Sequence, residues 1–194
     1  PLDQMTFEAG ALLATHPPQL YDDNKILVFE IAGSSGYPFE GPVAYARWPV
    51  QEPPGEVTQR CGFAIQAGIF DYAAPRDPAL AAWHVNFADP ELFVAYGSPL
   101  LAQDELQVAE HPILGSLREA LLARGMPART IDESGQPTPV TVTGVQRRCF
   151  LETRPSLVAG SPAGLYGGAF ALAAPEQVRA ATQALSPPTV SNIL

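Results

Sequence analysis

The stretch NFADPELFVAYGSPLLAQDE, Asn86 to Glu105, carries the most chemical information in the chain. It opens at the end of a short apolar run, Trp83 to Ala88, which has the character of a strand and stops at Asp89-Pro90. A glycine-containing loop follows. The stretch closes on adjacent carboxylates, Asp104 and Glu105, set between Leu100-Leu101-Ala102 and Leu106. Packing two acids beside apolar residues raises the pKa of at least one when both are partly buried. A carboxyl poised that way protonates a leaving group or activates water, which is what cleavage of a glycosidic bond requires. An acidic dipeptide is more commonly a solvated surface turn or the start of a helix, so the pair alone is a weak signal.

Upstream of this stretch, residues 4–14 (QMTFEAGALLA) read as a short helix ended by His16-Pro17-Pro18. Lys25 to Ala32 (KILVFEIA) has the pattern of a buried strand, closed by the turn Gly33-Ser34-Ser35-Gly36. Val43 to Trp48 is a further strand, 51–57 a loop, and Cys61 to Tyr72 one or two more strands. Downstream, Leu106 to Ala109 reads as strand or as a continuation of the acidic loop. Leu114 to Arg124 is an amphipathic helix with Gly125 as its cap. Val140 to Leu151 is β-rich and broken by Gly144, Pro175 to Leu185 is a helix, and Val190 to Leu194 a last strand. Strands alternating with helices indicate an α/β class.

The chain has 194 residues, with 20 acids against 11 bases and a formal net charge of −9. That length fits one domain over residues 1–194, burying roughly 70% of the surface its unfolded form exposes. A duplex nucleic-acid binder carries a basic face, and here bases adjoin only at Arg147-Arg148, a pattern typical of a solvated strand or loop edge. The acidic balance also disfavours an anionic membrane surface, and no apolar run is long enough to span a bilayer. Cys61 and Cys149 lack CxxC spacing and read as buried thiols of a reducing compartment, with a single disulfide as the alternative. His16, His84 and His111 are scattered without metal-ligand spacing, so no metal is expected. Trp48 and Trp83 are expected to fill core, and His111 to be a core or surface residue. The chain begins at Pro1 without Met, which leaves open a longer parent chain.

Asn86-Phe87-Ala88 followed, after the loop, by Gln103-Asp104-Glu105 resembles the poly(ADP-ribose) glycohydrolase branch of the macrodomain superfamily. There, a strand ending in Asp-Phe-Ala-Asn leads through a glycine-rich loop to Gln-Glu-Glu, and Ala88 to Glu105 fits that pattern without a gap. The resemblance implies that Glu105 is the acid/base and that Asp104 holds the ribose beside the scissile bond. Gly164-Leu165-Tyr166-Gly167-Gly168-Ala169-Phe170 looks like the family's second phosphate loop, in which backbone N–H groups approach an anion closely. On this likeness Tyr166 covers the distal ribose. Ligand contacts come from Asn86, Phe87, Ala88, Asp89, Gly97, Ser98, Leu100 and Gln103, and from Gly164, Leu165, Tyr166, Gly167, Gly168 and Phe170.

Departures from the family pattern narrow the expected substrate. Phe93-Val94-Ala95 stands where the glycohydrolase branch has three glycines, Asn86 replaces its Asp, and Asp89 its Asn. Gln103-Asp104-Glu105 with Glu110-His111-Pro112 is more similar to a bacterial-effector branch that removes ADP-ribose from ubiquitin. The expectation is a single three-layer α/β/α domain of macrodomain type, a mixed central sheet with helices on both faces. It would hydrolyse single ADP-ribose units from protein, ubiquitin being a candidate, without a cofactor, in the cytoplasm or, for a secreted effector, the host cytosol. The alternatives are a non-catalytic ADP-ribose reader and an unrelated α/β interaction domain in which the acidic triplet is surface.

Overall fold

The computed structural model describes residues 1–52, 55–56, 62–63, 65, 72, 80–158 and 160–194. Among these the order is β1 (Asp3–Glu8), α1 (Ala9–Thr15), α2 (Asp23–Gly33), β2 (Pro42–Arg47), α3 (Gln103–Glu110), α4 (Ile113–Ala123), β3 (Val140–Leu151), α5 (Pro175–Ala181) and β4 (Thr182–Ile193). A single 3-10 turn, Phe170–Leu172, precedes α5. The four strands form one sheet in the order β1-β2-β3-β4, each neighbouring pair antiparallel. The sole parallel pairing among the described residues is a bridge between His84 and Ile193. It lays residues 84–86 along the end of β4, with His84 N donating to Asn192 O (2.9 Å) and Asn86 N to Leu194 O (2.8 Å). The class is therefore α/β, with an antiparallel sheet of four strands among the described residues.

Several sequence expectations are corrected. Lys25–Ala32 lies in a helix, not a strand: Asp22 caps α2 by accepting from Lys25 N at 2.9 Å. A short, mostly apolar run carries no clear period, so strand and buried helix look alike until the cap is weighed. The first half of 4–14 is strand, because residues 3–8 find a full partner in 42–47, and the helix starts only at Ala9. Residues 182–185 leave the last helix to begin β4, a long strand of which 190–193 is the end. Residues 83–88 make only the bridge at His84 rather than a ladder, and 106–109 are helical within α3. The helix at 114–124 and the β-rich run 140–151 stand as read, with Gly125 closing α4 at φ +66° and Gly144 at a register shift in β3. The expected strands over 61–72, with Cys61, and much of the loop 51–57 lie outside the described residues.

The core falls into two clusters. One packs Phe7, Val43, Tyr45, Val142 and Val145 of the sheet against Leu12 of α1 and Leu114, Leu117 and Leu121 of α4. The other packs Leu27 and Val28 of α2 with Leu106 and Ala109 of α3, Cys149 and Leu151 of β3, Leu165, Phe170 and Val178. Helix α3 joins them, since its Val108 belongs to the first cluster. Cys149 is a free, buried thiol, as read. Trp48 and Trp83 are half-exposed rather than core. Arg147 and Arg148 are buried, not a solvated edge, because each has dedicated acceptors. Arg147 Nε meets Glu110 Oε2 at 2.8 Å, while Glu110 Oε1 accepts from Leu151 N, tying α3 to β3. Arg148 donates to Ala32 O, Tyr37 O, Pro38 O and Ser35 Oγ, fixing the turn after α2. No helix among the described residues is long and apolar enough to cross a membrane.

Candidate functional site

Gln103, Asp104 and Glu105 form the first turn of α3, where the negative charge of the two acids meets the positive end of the helix dipole. This corrects the reading of the triplet as a loop. All three are buried. Glu105 Oε2 accepts from Ala102 N at 3.0 Å, so the side chain closes the helix N-terminus upon itself. Gln103 holds the segment before the loop: its Oε1 accepts from Phe87 N (2.7 Å) and its Nε2 donates to Val85 O (2.9 Å). The amide thus bonds residues 85 and 87 as the peptide group of a neighbouring strand would. With β4 on its other edge, the 84–87 segment is fixed from both sides.

Asn86 Nδ2 donates to Asp104 Oδ1 (2.9 Å) and to Gln107 Oε1 (2.8 Å). Burial pushes the Asp104 carboxyl up to about 6, the Asn86 hydrogen bond opposes the rise, and the Glu105 and Asp89 charges add to it. The carboxyl therefore changes charge close to neutral pH. Asp89 lies at the exposed start of the loop, its Oδ1 accepting from Glu91 N at 2.9 Å.

These groups surround a cleft of about 410 Å³. One wall is Phe87, Ala88, Asp89 and Pro90; the floor is Ala102, Gln103, Asp104 and Glu105; Tyr166 of the glycine block closes it. Phe87 and Tyr166 are exposed at its rim. On the other side of residues 86–88 lies a smaller apolar recess of about 180 Å³, bordered by Leu92, Phe93, Val142 and Ile193.

Of the residues singled out from the sequence, the cleft unites Phe87, Ala88, Asp89, Gln103, Asp104, Glu105 and Tyr166. Asn86 reaches it through Asp104. Gly97, Ser98, Leu100, Gly164, Leu165, Gly167, Gly168 and Phe170 do not line it. Many of their amides are already engaged: Ser98 N bonds Ala95 O, Leu100 N bonds Ser98 Oγ, Gly164 N bonds Ser161 O and Leu165 N bonds Thr153 O. Leu101 and Gly167 exchange N–H···O bonds of 3.3 and 2.8 Å, which seats the two loops side by side. The amides of Tyr166 and Gly168 have no protein acceptor among the described residues.

Two residues, Lys25 and Asn24, have roles that the sequence does not show. Lys25, taken as strand, is fully buried in α2 and donates to Leu100 O at 2.7 Å. Its neighbour Asn24 donates to Phe170 O (3.0 Å) and Ala173 O (2.9 Å). The signal was Asp22-Asp23-Asn24, a helix start, ahead of a lysine in an apolar run. His111 is a fully buried core residue: its ring accepts from Ser191 Oγ at Nε2 (3.0 Å) and donates from Nδ1 to Gln107 O (2.9 Å), the one tautomer that a carbonyl acceptor permits. Among the described residues no cluster of three or more His, Cys, Asp or Glu is placed to hold a metal ion. Comparison of the chain with protein-family models, with curated proteins and with solved structures finds no match in any of the three.

Proposed function

We propose that the chain is an ADP-ribosyl hydrolase of macrodomain type, a three-layer α/β/α domain that removes single ADP-ribose units from protein, with ubiquitin a candidate target. The observation that carries this reading is the cleft in which Gln103-Asp104-Glu105 meets Phe87–Asp89 and, from the distant glycine block, Tyr166. Two sequence blocks chosen for their likeness to one ligand's loops are thus neighbours in space. A second support lies in the loop between them. Phe93 is buried yet has φ +55°, a conformation that favours glycine, at the first of three positions where the resembled branch carries glycines.

In the proposed mechanism Asp104, as carboxylate, accepts hydrogen bonds from the ribose hydroxyls, and Glu105 acts on the glycosidic centre or on a water. The negative charge of the pair favours an oxocarbenium-like transition state. The open amides of Tyr166 and Gly168 take part of the diphosphate, and Phe87 and Tyr166 border the sugars. The linkage is cleaved by water, giving free ADP-ribose and the unmodified side chain.

Glu105→Gln is the sharper test, because Gln keeps an oxygen acceptor for Ala102 N while removing the acid/base. We expect turnover of an ADP-ribosylated protein to fall by about 100-fold or more, with calorimetric binding of ADP-ribose retained; unchanged turnover sinks the assignment of Glu105. One observation favours a second reading, a non-catalytic ADP-ribose reader: Glu105 is buried and one of its oxygens is committed to capping. Binding of ADP-ribose with no release from modified protein would decide for the reader.

A further inference from the structure

The side chain of Lys25 is 0% exposed, which is rare for lysine. Such an ammonium persists only where charges and dipoles around it replace the lost water. Here the replacements are specific. Nζ donates to Leu100 O at 2.7 Å and stands 5.3 Å from the centre of the Phe170 ring, on whose face a cation is attracted. Leu100 precedes Leu101, which is bonded in both directions to Gly167, and Phe170 ends the glycine block. Asn24, the preceding residue of α2, holds that block by the Phe170 and Ala173 carbonyls. One turn of one helix therefore grips both loops that meet at the cleft.

The charges around Lys25 come from several elements. Helix α3 brings Glu105 and Asp104, and Asp22 stands at the cap of α2 itself; all three favour the charged ammonium. Burial is the larger effect and brings Lys25 down to about 8, so it remains mostly charged at neutral pH. Asp89 faces Asp104 from the far wall of the cleft. On β3, Arg147 is paired with Glu110, and Arg148 is directed to Ala32 O and the turn beyond α2. Glu176 and Arg179 of α5 are exposed, and β4 has no charged side chain.

We propose that Lys25 is a positioning residue of the acidic cleft, fixing the 97–101 loop against the glycine block and supplying the counter-charge behind Asp104 and Glu105. It touches no ligand in this role; it sets where Leu100 lies and how readily Asp104 ionises. The consequence for turnover rests on the proposed function, whereas the charge coupling does not.

The experiment is a carbon-13 titration of the Asp104 carboxyl in the full chain, wild type against Lys25→Met. Met is of similar length and carries no charge. The Asp104 midpoint is expected to move upward by a few tenths of a unit, and Lys25→Arg, which restores the charge, to bring it back toward the wild-type value. An unmoved midpoint in folded Lys25→Met overturns the proposal. Should Lys25→Met fail to fold, the reciprocal measurement serves. Linkage requires that Asp104→Asn lower the Lys25 midpoint, followed by nitrogen-15 at Nζ, by a similar amount; no change there also overturns it. Where wild-type turnover exists, the acid limb of its pH profile should move with the Asp104 midpoint in Lys25→Met. Absence of turnover in the wild type counts against the hydrolase reading, and the two titrations still decide the role of Lys25.

Discussion

Asp104 is the residue at which burial and chemistry conflict most directly. Its carboxyl is pushed up to about 6 from 3.8, chiefly by burial, so the folded chain holds this proton more tightly than the unfolded chain does. Asp104 consequently favours folding below the unfolded value, and that contribution is lost as pH rises through about 6. At neutral pH the buried carboxylate costs on the order of 3 kcal/mol. Asp104→Asn keeps an oxygen for Asn86 and carries no charge. We expect it to raise the melting temperature near neutral pH, with the gain disappearing below about pH 4; a gain constant across that range would show that charge burial is not its source. A group that costs stability where the chain must work is common at functional sites. The sequence disclosed the adjacent acids, but not the burial that raises Asp104, since that burial comes from packing between segments distant in sequence.

At the level of elements, the cleft depends on how closely the 92–99 loop approaches the segment before α2. Gly97 is the contact. A Cβ there would stand 2.1 Å from Gln19 O, and the Gly97 carbonyl accepts from Tyr21 N at 2.9 Å. Tyr96, next to it, donates to Glu119 of α4 at 2.7 Å and accepts from Gln19 N at 2.6 Å. Gly97→Ala is therefore expected to destabilise the chain by about 1–3 kcal/mol, measured by urea unfolding; an Ala variant as stable as wild type would contradict this packing. The glycine was picked out from the sequence as a ligand contact, whereas its place in the structure is that of a spacer. Elements with a distinct period or cap, α4 with Gly125 and α5 with Pro175 at its start, were legible in advance. Helix α2 was not, because KILVFEIA is mostly apolar without a clear period and only its cap separates helix from strand.

Across the whole molecule, α3 is the piece on which both core clusters and the cleft converge. Its first turn carries the carboxylates, its end is fastened to β3 by Glu110 and Arg147, and His111 follows in the core. Burial drives His111 down to about 3 from 6.5, so it is neutral in the fold and bonded as such to Gln107 and Ser191. Its contribution to stability is present above 6.5 and is lost as pH falls toward 3, the opposite slope to Asp104. His111→Gln, which does not titrate, should be less stable than wild type at neutral pH, by a margin that narrows as the pH is lowered to about 4.5. Denaturant unfolding at both values checks it, and a margin independent of pH would contradict a buried neutral ring. The sequence by itself determined the α/β class, the acidic composition, the helix over most of 114–124, the β-rich run 140–151 and the two blocks from which the cleft is made. These follow from local period, capping residues and short-range pattern, which a linear chain states openly. Only the tertiary structure decided that 25–32 is helix, that residues 3–8 pair with 42–47, that Gln103-Asp104-Glu105 opens a helix, and that Lys25 lies behind it. Each of those rests on a partner far along the chain, and pairing energies between distant residues are settled by packing in three dimensions, not by neighbours in sequence.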